Sequence, residues 1–228
     1  MTDENAAYQK AKSGQPLALE KRVEEADGRR FSPSTGRNKD IVRDTFLEVM
    51  PRQGRILEIA SGTGEHGVHI TAAAQGLNWT YSDIDPVSQA SQLAWRNHVS
   101  HDRLHGPMMV DTTEADWGDV EKAAPWHGMF CANMIHIAPF SAAEGLLAGA
   151  GRLLAPGGRL MLYGPFARSG EIAPSNARFS EDLQRRDASW GVRDLDLEIL
   201  PLATAAGLRL AMVKAMPANN LSVVLEKG

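Results

Sequence analysis

The chain has 228 residues, of which 43% are hydrophobic, and this length predicts a single domain with a substantial core. Its formal net charge of −4 at pH 7 argues against general binding to nucleic acids or anionic membranes, because both need a basic surface. A single cysteine, Cys131, excludes an intramolecular disulfide, and a polar, acidic N-terminus without any membrane-length apolar stretch predicts a soluble, cytoplasmic protein.

The first 50 residues divide into a polar part and a helix. Residues 1–30 are charged and weakly periodic, so we expect a flexible tail that carries at most a short helix, followed by a single domain over 31–228. Residues 31–39 are loop-like in composition. From Asp40 to Val49 an apolar stripe at helical spacing predicts the first helix.

From residue 55 onward, short apolar strands alternate with helices. The predicted strands cover residues 56–59, 78–84, 108–110, 129–133 and 159–163. Helices are predicted over 65–74, from Pro86 with Asp85 as its N-cap, and from Ser141, where Ser141 and Glu144 have the spacing of a capping box. This alternation predicts a parallel sheet with helices on both faces.

The last third of the chain departs from that alternation. Residues 164–193 begin with a long polar stretch broken by prolines and glycines, with a helix expected over 180–186, and we interpret the insertion as a lid or substrate-binding segment. A helix over 195–206 and strands over 208–216 and 221–226 are expected to follow. The short connection between these two strands is typical of an antiparallel hairpin.

The most informative motif is the turn after the first strand, which runs from Glu58 to His66. Gly62 and Gly64 permit positive φ angles and a close approach of the backbone to a ligand, and the following helix N-terminus favours an anionic group. Gly62, Gly64 and Gly67 also match a dinucleotide-binding fingerprint. However, an acid at the end of the strand favours S-adenosylmethionine, and the only Tyr-x-x-x-Lys spacing typical of short-chain dehydrogenases (residues 8–12) precedes the loop.

Several stretches together resemble one family. They are Arg37-Asn38-Lys39, Glu58 to His66, Ser82-Asp83-Ile84-Asp85, Asn133-Met134-Ile135-His136, Tyr163-Gly164-Pro165-Phe166, Trp190-Gly191-Val192-Arg193-Asp194 and Met216-Pro217-Ala218-Asn219-Asn220. Over residues 36–228 the chain resembles class I S-adenosylmethionine-dependent methyltransferases, and within them the uncharacterised methyltransferase-like protein 26 family. The resemblance implies an α/β Rossmann-like fold with a seven-stranded, mostly parallel sheet, helices on both faces and a C-terminal antiparallel hairpin. It also implies S-adenosylmethionine as cofactor and S-adenosylhomocysteine as product.

Ligands of open parallel sheets bind beyond the carboxyl ends of the strands, and this selects the candidate cofactor residues. Asp83 is the expected ribose ligand, since a carboxylate accepts from both hydroxyl groups. Asp111 is expected near the adenine amino group, as in similar methyltransferases, although a surface-turn acid is an open alternative. The predicted cofactor-binding residues are Glu58, Ala60, Ser61, Gly62, Gly64, Asp83, Ile84, Asp111, Thr112 and Asn133. Ala60 stands where related loops have glycine, and we expect the change to be tolerated.

The predicted catalytic residues are His136 and Tyr163. A histidine titrates near pH 6.5, so His136 could take a proton from the acceptor, and a purely packing role is the alternative. Methyl transfer also proceeds without a base when the acceptor is well positioned. The predicted substrate residues are Arg37, Lys39, Asn176, Trp190, Arg193, Asn219 and Asn220, with turn chemistry and solvated charges as alternatives.

The partner is expected to be a small-molecule acceptor, with no nucleic acid and no membrane. No Asn/Asp-Pro-Pro-Tyr/Phe motif follows the fourth strand, which lowers the odds of amino methylation on a base or glutamine. His98, His101 and His105 lack suitable neighbours, so no metal is predicted. A non-catalytic adenosyl-binding or scaffold protein and, less favoured, an NAD-dependent oxidoreductase remain as alternatives.

Overall fold

A computed structural model describes residues 20–228, which are built around one large sheet. The strands are β1 (Val23–Glu24), β2 (Arg30–Phe31), β3 (Gln53–Ile59), β4 (Gly76–Ser82), β5 (Leu104–Met108), β6 (Trp126–Ala132), β7 (Leu154–Ala167), β8 (Arg193–Asp194), β9 (Leu208–Met216) and β10 (Asn220–Lys227). The helices are α1 (Pro33–Val49), α2 (Glu65–Ala73), α3 (Pro86–His98), α4 (Asp119–Lys122), α5 (Phe140–Leu153), α6 (Pro174–Arg186) and α7 (Leu200–Ala205). Short 3-10 turns cover Met134–His136 and Pro217–Asn219, and a π turn covers Leu195–Ile199.

The strand order of the large sheet is β5-β4-β3-β6-β7-β10-β9, with the two-residue strand β8 paired beside the end of β7. Strands β5, β4, β3, β6 and β7 are parallel, and β10 is antiparallel to both β7 and β9. This confirms the predicted mostly parallel sheet with its C-terminal antiparallel hairpin, and it adds β8 as an eighth short strand.

The core lies on both faces of this sheet, because successive residues of a strand point to opposite sides. In β6, Met129 belongs to the apolar cluster that contains Leu146 of α5, whereas its neighbour Phe130 belongs to the cluster that contains Phe46 of α1. All four side chains are fully buried. The predicted helical layers on both faces are therefore confirmed.

The first helix begins earlier than predicted. Helix α1 starts at Pro33 rather than at Asp40, so the prediction of a loop over 31–39 is wrong. The side chain of Ser32 accepts a hydrogen bond from the Thr35 N–H at 3.3 Å, and Pro33 occupies the first turn, where its missing N–H costs nothing.

Two strand predictions and one cap also need correction. The third parallel strand covers Leu104–Met108, not 108–110, with Pro107 tolerated because β5 lies at the sheet edge. The fifth, β7, extends from Leu154 to Ala167, well beyond the predicted 159–163, since it pairs with both β6 and β10. Helix α5 begins at Phe140, so Ser141 lies inside the helix and forms no capping box.

The helices after residue 164 are longer and more broken than expected. Helix α6 covers Pro174–Arg186 and not only 180–186, again with a proline in its first turn. The helix expected over 195–206 is divided into the π turn and α7, because Pro201 lies in the first turn of α7.

Part of the predicted N-terminal tail is folded. Residues 1–19 lie outside the described residues, but β1 and β2 form a small antiparallel hairpin within 20–31. Phe31 packs edge-on against Trp95 of α3 with 5.1 Å between ring centroids, and the Arg29 guanidinium lies 4.8 Å from the same indole. Among residues 20–228, no helix combines the length and apolar content needed to cross a bilayer.

Candidate functional site

A continuous cleft lies at the carboxyl ends of β3, β4 and β6, where the strand order reverses on the two sides of β3. It consists of a small pocket of about 730 Å³ and a large cleft of about 2170 Å³, both with their open mouths included. The two are joined by shared lining residues, which are Arg22, Ala60, Gly62, Ala132 and Ile137. The predicted site is thus where the topology of an open sheet places ligands.

The loop after β3 is bent by left-handed backbone conformations. Ala60 has φ +54°, Gly62 φ +55° and Gly64 φ +88°. Glycine adopts this region freely, whereas an alanine there is strained by its Cβ. Ala60 therefore occupies a position that favours glycine, and it lines both the small pocket and the large cleft.

Asp83 follows β4 and faces the small pocket. Its Oδ2 accepts from the Gly62 N–H at 2.9 Å, and its Oδ1 accepts from the Asp85 N–H at 3.0 Å. Each carboxylate oxygen has further acceptor capacity after one such bond. Burial raises the pKa of Asp83 to about 6, while these backbone bonds and the charge of Arg22 oppose the rise.

The capping role near Asp83 belongs to Asp85, as predicted. Its side chain accepts from the Val87 and Ser88 N–H groups, both at 3.1 Å, at the start of α3. Asp83 is consequently not used as the helix cap, and its carboxylate is held in place by the N–H of Gly62 in the glycine loop.

Glu58 is buried beneath the large cleft. Its Oε2 accepts from the indole N–H of Trp79 at 2.9 Å. Burial raises the pKa of Glu58 to about 8, although hydrogen bonds from Trp79 and Ser61 oppose this, so the side chain is mostly protonated at neutral pH. Glu58 therefore contributes a neutral carboxylic acid to the cleft.

The small pocket has a largely apolar wall. Besides the polar residues Arg22, Asp83, Asp85, Ser88 and Thr112, and the small residues Ala60, Gly62 and Ala132, it is lined by Ile59, Ile84, Val110, Met134, Ile137, Ala138 and Ala142. Asp111 does not line it. The Oδ1 atom of Asp111 accepts from the N–H and the hydroxyl of Thr113 at 3.0 and 2.7 Å, which is the turn chemistry that was the alternative for this acid.

The large cleft is lined mainly by polar side chains. Tyr163 lies at its base, and burial raises the pKa of the phenol while hydrogen bonds with Asn38 and Asn220 oppose the rise. One wall is α6, which is tied to the hairpin connection because the Asn176 Nδ2 donates to the Asn219 carbonyl at 2.9 Å. The insertion thus contributes directly to the cleft.

His136 lies outside both the small pocket and the large cleft. Its ring is fully buried, 5.0 Å from the ring of Phe166, and its Nδ1 accepts from the Arg193 N–H at 3.3 Å. Burial lowers the pKa of His136 to about 3, with the charge of Arg193 acting in the same direction. These contacts describe a neutral packing histidine and argue against a role as general base.

Several other predicted site residues also lie outside the lining. The guanidinium of Arg193 donates to the carbonyls of Ile135, Ala138 and Ser189 at 2.7–3.0 Å, which is a structural role. The predicted residues that do not line the cleft are Lys39, Gly64, Asp111, His136, Trp190, Arg193 and Asn219. Those that do are Arg37, Glu58, Ala60, Ser61, Gly62, Asp83, Ile84, Thr112, Asn133, Tyr163, Asn176 and Asn220.

Many residues of the lining were not among the predicted site residues, and three of them are polar side chains of particular interest: Arg22, Asn38 and His66. Arg22 lay in the polar tail and carried no pattern at all, while Asn38 stood between two predicted residues. His66 belongs to the glycine-loop motif and lines the large cleft with its ring 5.6 Å from Phe130. No group of three His, Cys, Asp or Glu side chains within residues 20–228 is arranged to hold a metal ion.

Residues 29–227 match the sequence profile of a family described as a protein of unknown function, DUF938. The chain belongs to this family. Among characterised sequences, the DUF938 chain is 25% identical over 160 residues to the ribosomal RNA small subunit methyltransferase G of Ralstonia nicotianae. The match covers 70% of the DUF938 chain and 61% of that relative, so the chain spans less than two thirds of it.

Solved structures of methyltransferases share the fold of the DUF938 chain. An O-methyltransferase family protein from Burkholderia thailandensis has a TM-score of 0.70 at 15% identity, covering 86% of the chain and 56% of that protein. Human N-acetylserotonin methyltransferase in complex with SAM has a TM-score of 0.65 at 17% identity, covering 86% and 53%. A putative O-methyltransferase from Nostoc punctiforme has a TM-score of 0.69 at 16% identity, covering 99% and 69%. The fold is therefore that of class I methyltransferases, and the chain spans about half the length of the first two.

Proposed function

We propose that this protein is an S-adenosylmethionine-dependent methyltransferase that acts on a small-molecule acceptor. The observation that carries the proposal is the buried carboxylate of Asp83, held by the N–H of Gly62 at the point where the strand order reverses. A carboxylate in this place accepts hydrogen bonds from both hydroxyl groups of a ribose. The class I methyltransferase fold supports the same assignment.

The residues of the small pocket suit an adenosyl group. Its apolar wall, which includes Ile84 and Met134, matches the faces of an adenine ring, with Asp83 at the ribose. The methionine part would extend toward Ser61, Gly62 and Asn133, where the small pocket opens into the large cleft. When bound, the cofactor would supply an electrophilic methyl group on a sulfonium.

The large cleft would bind and orient the acceptor. Tyr163 and its partners Asn38 and Asn220 provide neutral hydrogen-bonding groups at its base. His66 also lines this cleft, and burial lowers its pKa to about 4, so it is neutral at pH 7. Of the predicted catalytic pair, His136 lies outside the cleft, and the phenol of Tyr163 has a raised pKa, so neither presents an ionised base to the acceptor. We infer that the protein accelerates transfer chiefly by holding the acceptor atom in line with the methyl–sulfur bond.

A small acceptor is favoured over a nucleic acid. The formal net charge of −4 gives little attraction for a polyanion, and the arginines of the large cleft are accompanied by Glu20 and Asp182. The related ribosomal RNA methyltransferase makes RNA the natural competing substrate to include in an acceptor screen. The alternative is a non-catalytic adenosyl-binding protein, which would bind the cofactor but show no turnover with any acceptor.

Calorimetric titration with S-adenosylmethionine, S-adenosylhomocysteine and NAD tests the cofactor assignment. Wild type is expected to bind both adenosyl compounds, and Asp83→Ala to lose that binding, while the exposed Asp102→Ala keeps it. Binding of NAD alone, or of none of the three, would overturn the proposal. Methylation of small acceptors in the presence of labelled cofactor would then separate an enzyme from a silent binding protein.

A further inference from the structure

The β1–β2 hairpin is fastened between two helices beside the cleft. The Arg30 N–H donates to the Ser91 hydroxyl at 2.9 Å, and the Trp95 indole N–H donates to the Arg30 carbonyl at 3.3 Å, so the hairpin is held on α3. Directly after β2, the buried Ser32 N–H donates to Glu65 Oε2 of α2 at 2.7 Å. Glu20, two residues before Arg22, is joined to the start of α1, because its Oε1 accepts from the Ser34 N–H at 2.9 Å. The segment is thus held before β1 and after β2, and it can place the side chain that precedes β1 in a defined position over the cleft.

Arg22, which directly precedes β1, is that side chain. It lines both the small pocket and the large cleft, and its Nη1 donates to the Ser88 hydroxyl of α3 at 3.2 Å. Its Nη2 would lie 3.6 Å from a Cβ built on Gly62. Its Nε is buried and has no hydrogen-bond partner among the described residues. The guanidinium therefore lies at the glycine loop with donor capacity left over.

The charge of Arg22 is directed at Asp83. The charged and titratable groups that act on this carboxyl are Arg22 itself and Asp85 at the start of α3, and Asp83 in turn acts on Glu58 of β3. Asp85 disfavours the ionised form of Asp83, as any neighbouring acid does, whereas Arg22 favours it. Arg22 therefore favours the ionised carboxylate from within the same pocket.

We propose that Arg22 completes the cofactor site by donating to the ribose oxygens, while Asp83 accepts from the ribose hydroxyl groups. This inference rests on the proposed adenosyl-binding function and adds a residue that lies before the part matched by the DUF938 profile. Each ribose hydroxyl is both a donor and an acceptor, so an aspartate and an arginine on the same pocket satisfy both capacities. The N-terminal hairpin is then part of the cofactor site.

The test is calorimetric binding of S-adenosylhomocysteine to wild type, Arg22→Gln and Arg22→Lys at pH 6.0 and pH 8.5. Arg22→Gln is expected to weaken binding by about tenfold or more at pH 6.0, because both the donor and the charge that ionises Asp83 are lost. At pH 8.5 the deficit should shrink, since Asp83 ionises there without help. Arg22→Lys keeps the charge but not the planar fork, so its smaller deficit should be the same at both pH values.

Arg30→Gln is the matched control, because Arg30 lies on the same hairpin and its side chain pairs with the exposed Glu24 outside the cleft. It should bind like wild type, and thermal denaturation should show that all the variants are folded. If wild type binds and Arg22→Gln binds equally well at both pH values, the inference fails while the proposed function stands. Tighter binding by Arg22→Gln would show that Arg22 hinders binding of the cofactor, and this result would also overturn the inference. If wild type itself does not bind, the proposed function fails first.

Discussion

The main-chain N–H of Gly62 donates to the carboxylate of Asp83 at 2.9 Å, which joins the loop after β3 to the end of β4. The same carboxylate faces the small pocket, so loop conformation and ligand contact are coupled through one hydrogen bond. A change at either residue is expected to affect both the shape of the loop and the affinity for the ligand.

Asp83 gives the cofactor site a defined pH dependence. Its pKa is raised to about 6 by burial, so affinity for S-adenosylhomocysteine should fall as the pH is lowered through 6 and the carboxylate is protonated. Asp83→Asn should weaken binding at pH 7.5 by about 10–100-fold, the loss of a charge-assisted hydrogen bond, and should flatten the pH profile. Calorimetric titration from pH 5 to 8 measures both effects, with the exposed Asp102→Asn as control. Equal affinity of Asp83→Asn and wild type at every pH would refute the assignment.

Ala60 stores backbone strain at the site. Its φ of +54° is costly for an L-residue with a Cβ, and glycine removes that cost while losing more entropy on folding. The net expectation for Ala60→Gly is a gain of about 0.5–1 kcal/mol in the free energy of unfolding. Urea denaturation measures this.

The matched control for this substitution is Ala90→Gly at an exposed position in the middle of α3, where glycine should be destabilising. S-adenosylhomocysteine should bind Ala60→Gly as well as wild type, because the substitution only opens space in the cleft. Loss of stability in Ala60→Gly would show that the left-handed conformation is not a source of strain.

Glu58 makes stability depend on pH. Burial raises its pKa from the model-compound value of 4.5 to about 8, so between these values the native state holds a proton that the unfolded chain releases. The free energy of unfolding should therefore fall as pH rises through this window, by at most about 1.4 kcal/mol per pH unit, and the fall should stop above pH 8. Glu58→Gln, which mimics the neutral acid, should remove this part of the dependence.

Denaturation of wild type and Glu58→Gln at intervals from pH 5 to 9 measures the difference. The exposed Glu181→Gln on α6 serves as control and should keep the wild-type slope. If the free energies of unfolding of Glu58→Gln and wild type change in parallel between pH 5 and 8, the native state does not hold a proton on Glu58, and the prediction of a neutral carboxylic acid is wrong.

Arg193 is expected to matter for stability rather than for ligand binding. Its guanidinium donates to three main-chain carbonyls from two different nitrogens of its planar fork, and the single nitrogen of a lysine does not reproduce that spacing. Arg193→Lys should lower the free energy of unfolding by about 1–3 kcal/mol because buried carbonyls lose their partners. The exposed Arg178→Lys should have no such effect, and S-adenosylhomocysteine affinity should be unchanged in both. Unaltered stability of Arg193→Lys would return Arg193 to the list of candidate substrate residues.

Local sequence patterns predicted the architecture well where the interactions that determine a structural element lie within the same short segment. The apolar run ending at Ile59, the glycine loop and the Asp85-Pro86 start of α3 were all correctly located, because strand burial, left-handed turns and helix capping depend on near neighbours. The helix boundaries at Pro33 and Pro174 were missed, although proline in a first helical turn is a local signal that could have been used.

What the sequence by itself determined, then, is the alternation of strands and helices and the loop that defines the cofactor side, since both follow from periodicity and backbone chemistry. What only the tertiary structure decided is which side chains meet in the cleft. Arg22 is brought into the same pocket as Asp83 from 61 residues away along the chain, while His136, four residues after β6, turns into the core. The direction of a side chain depends on packing between distant elements, and no local pattern encodes that.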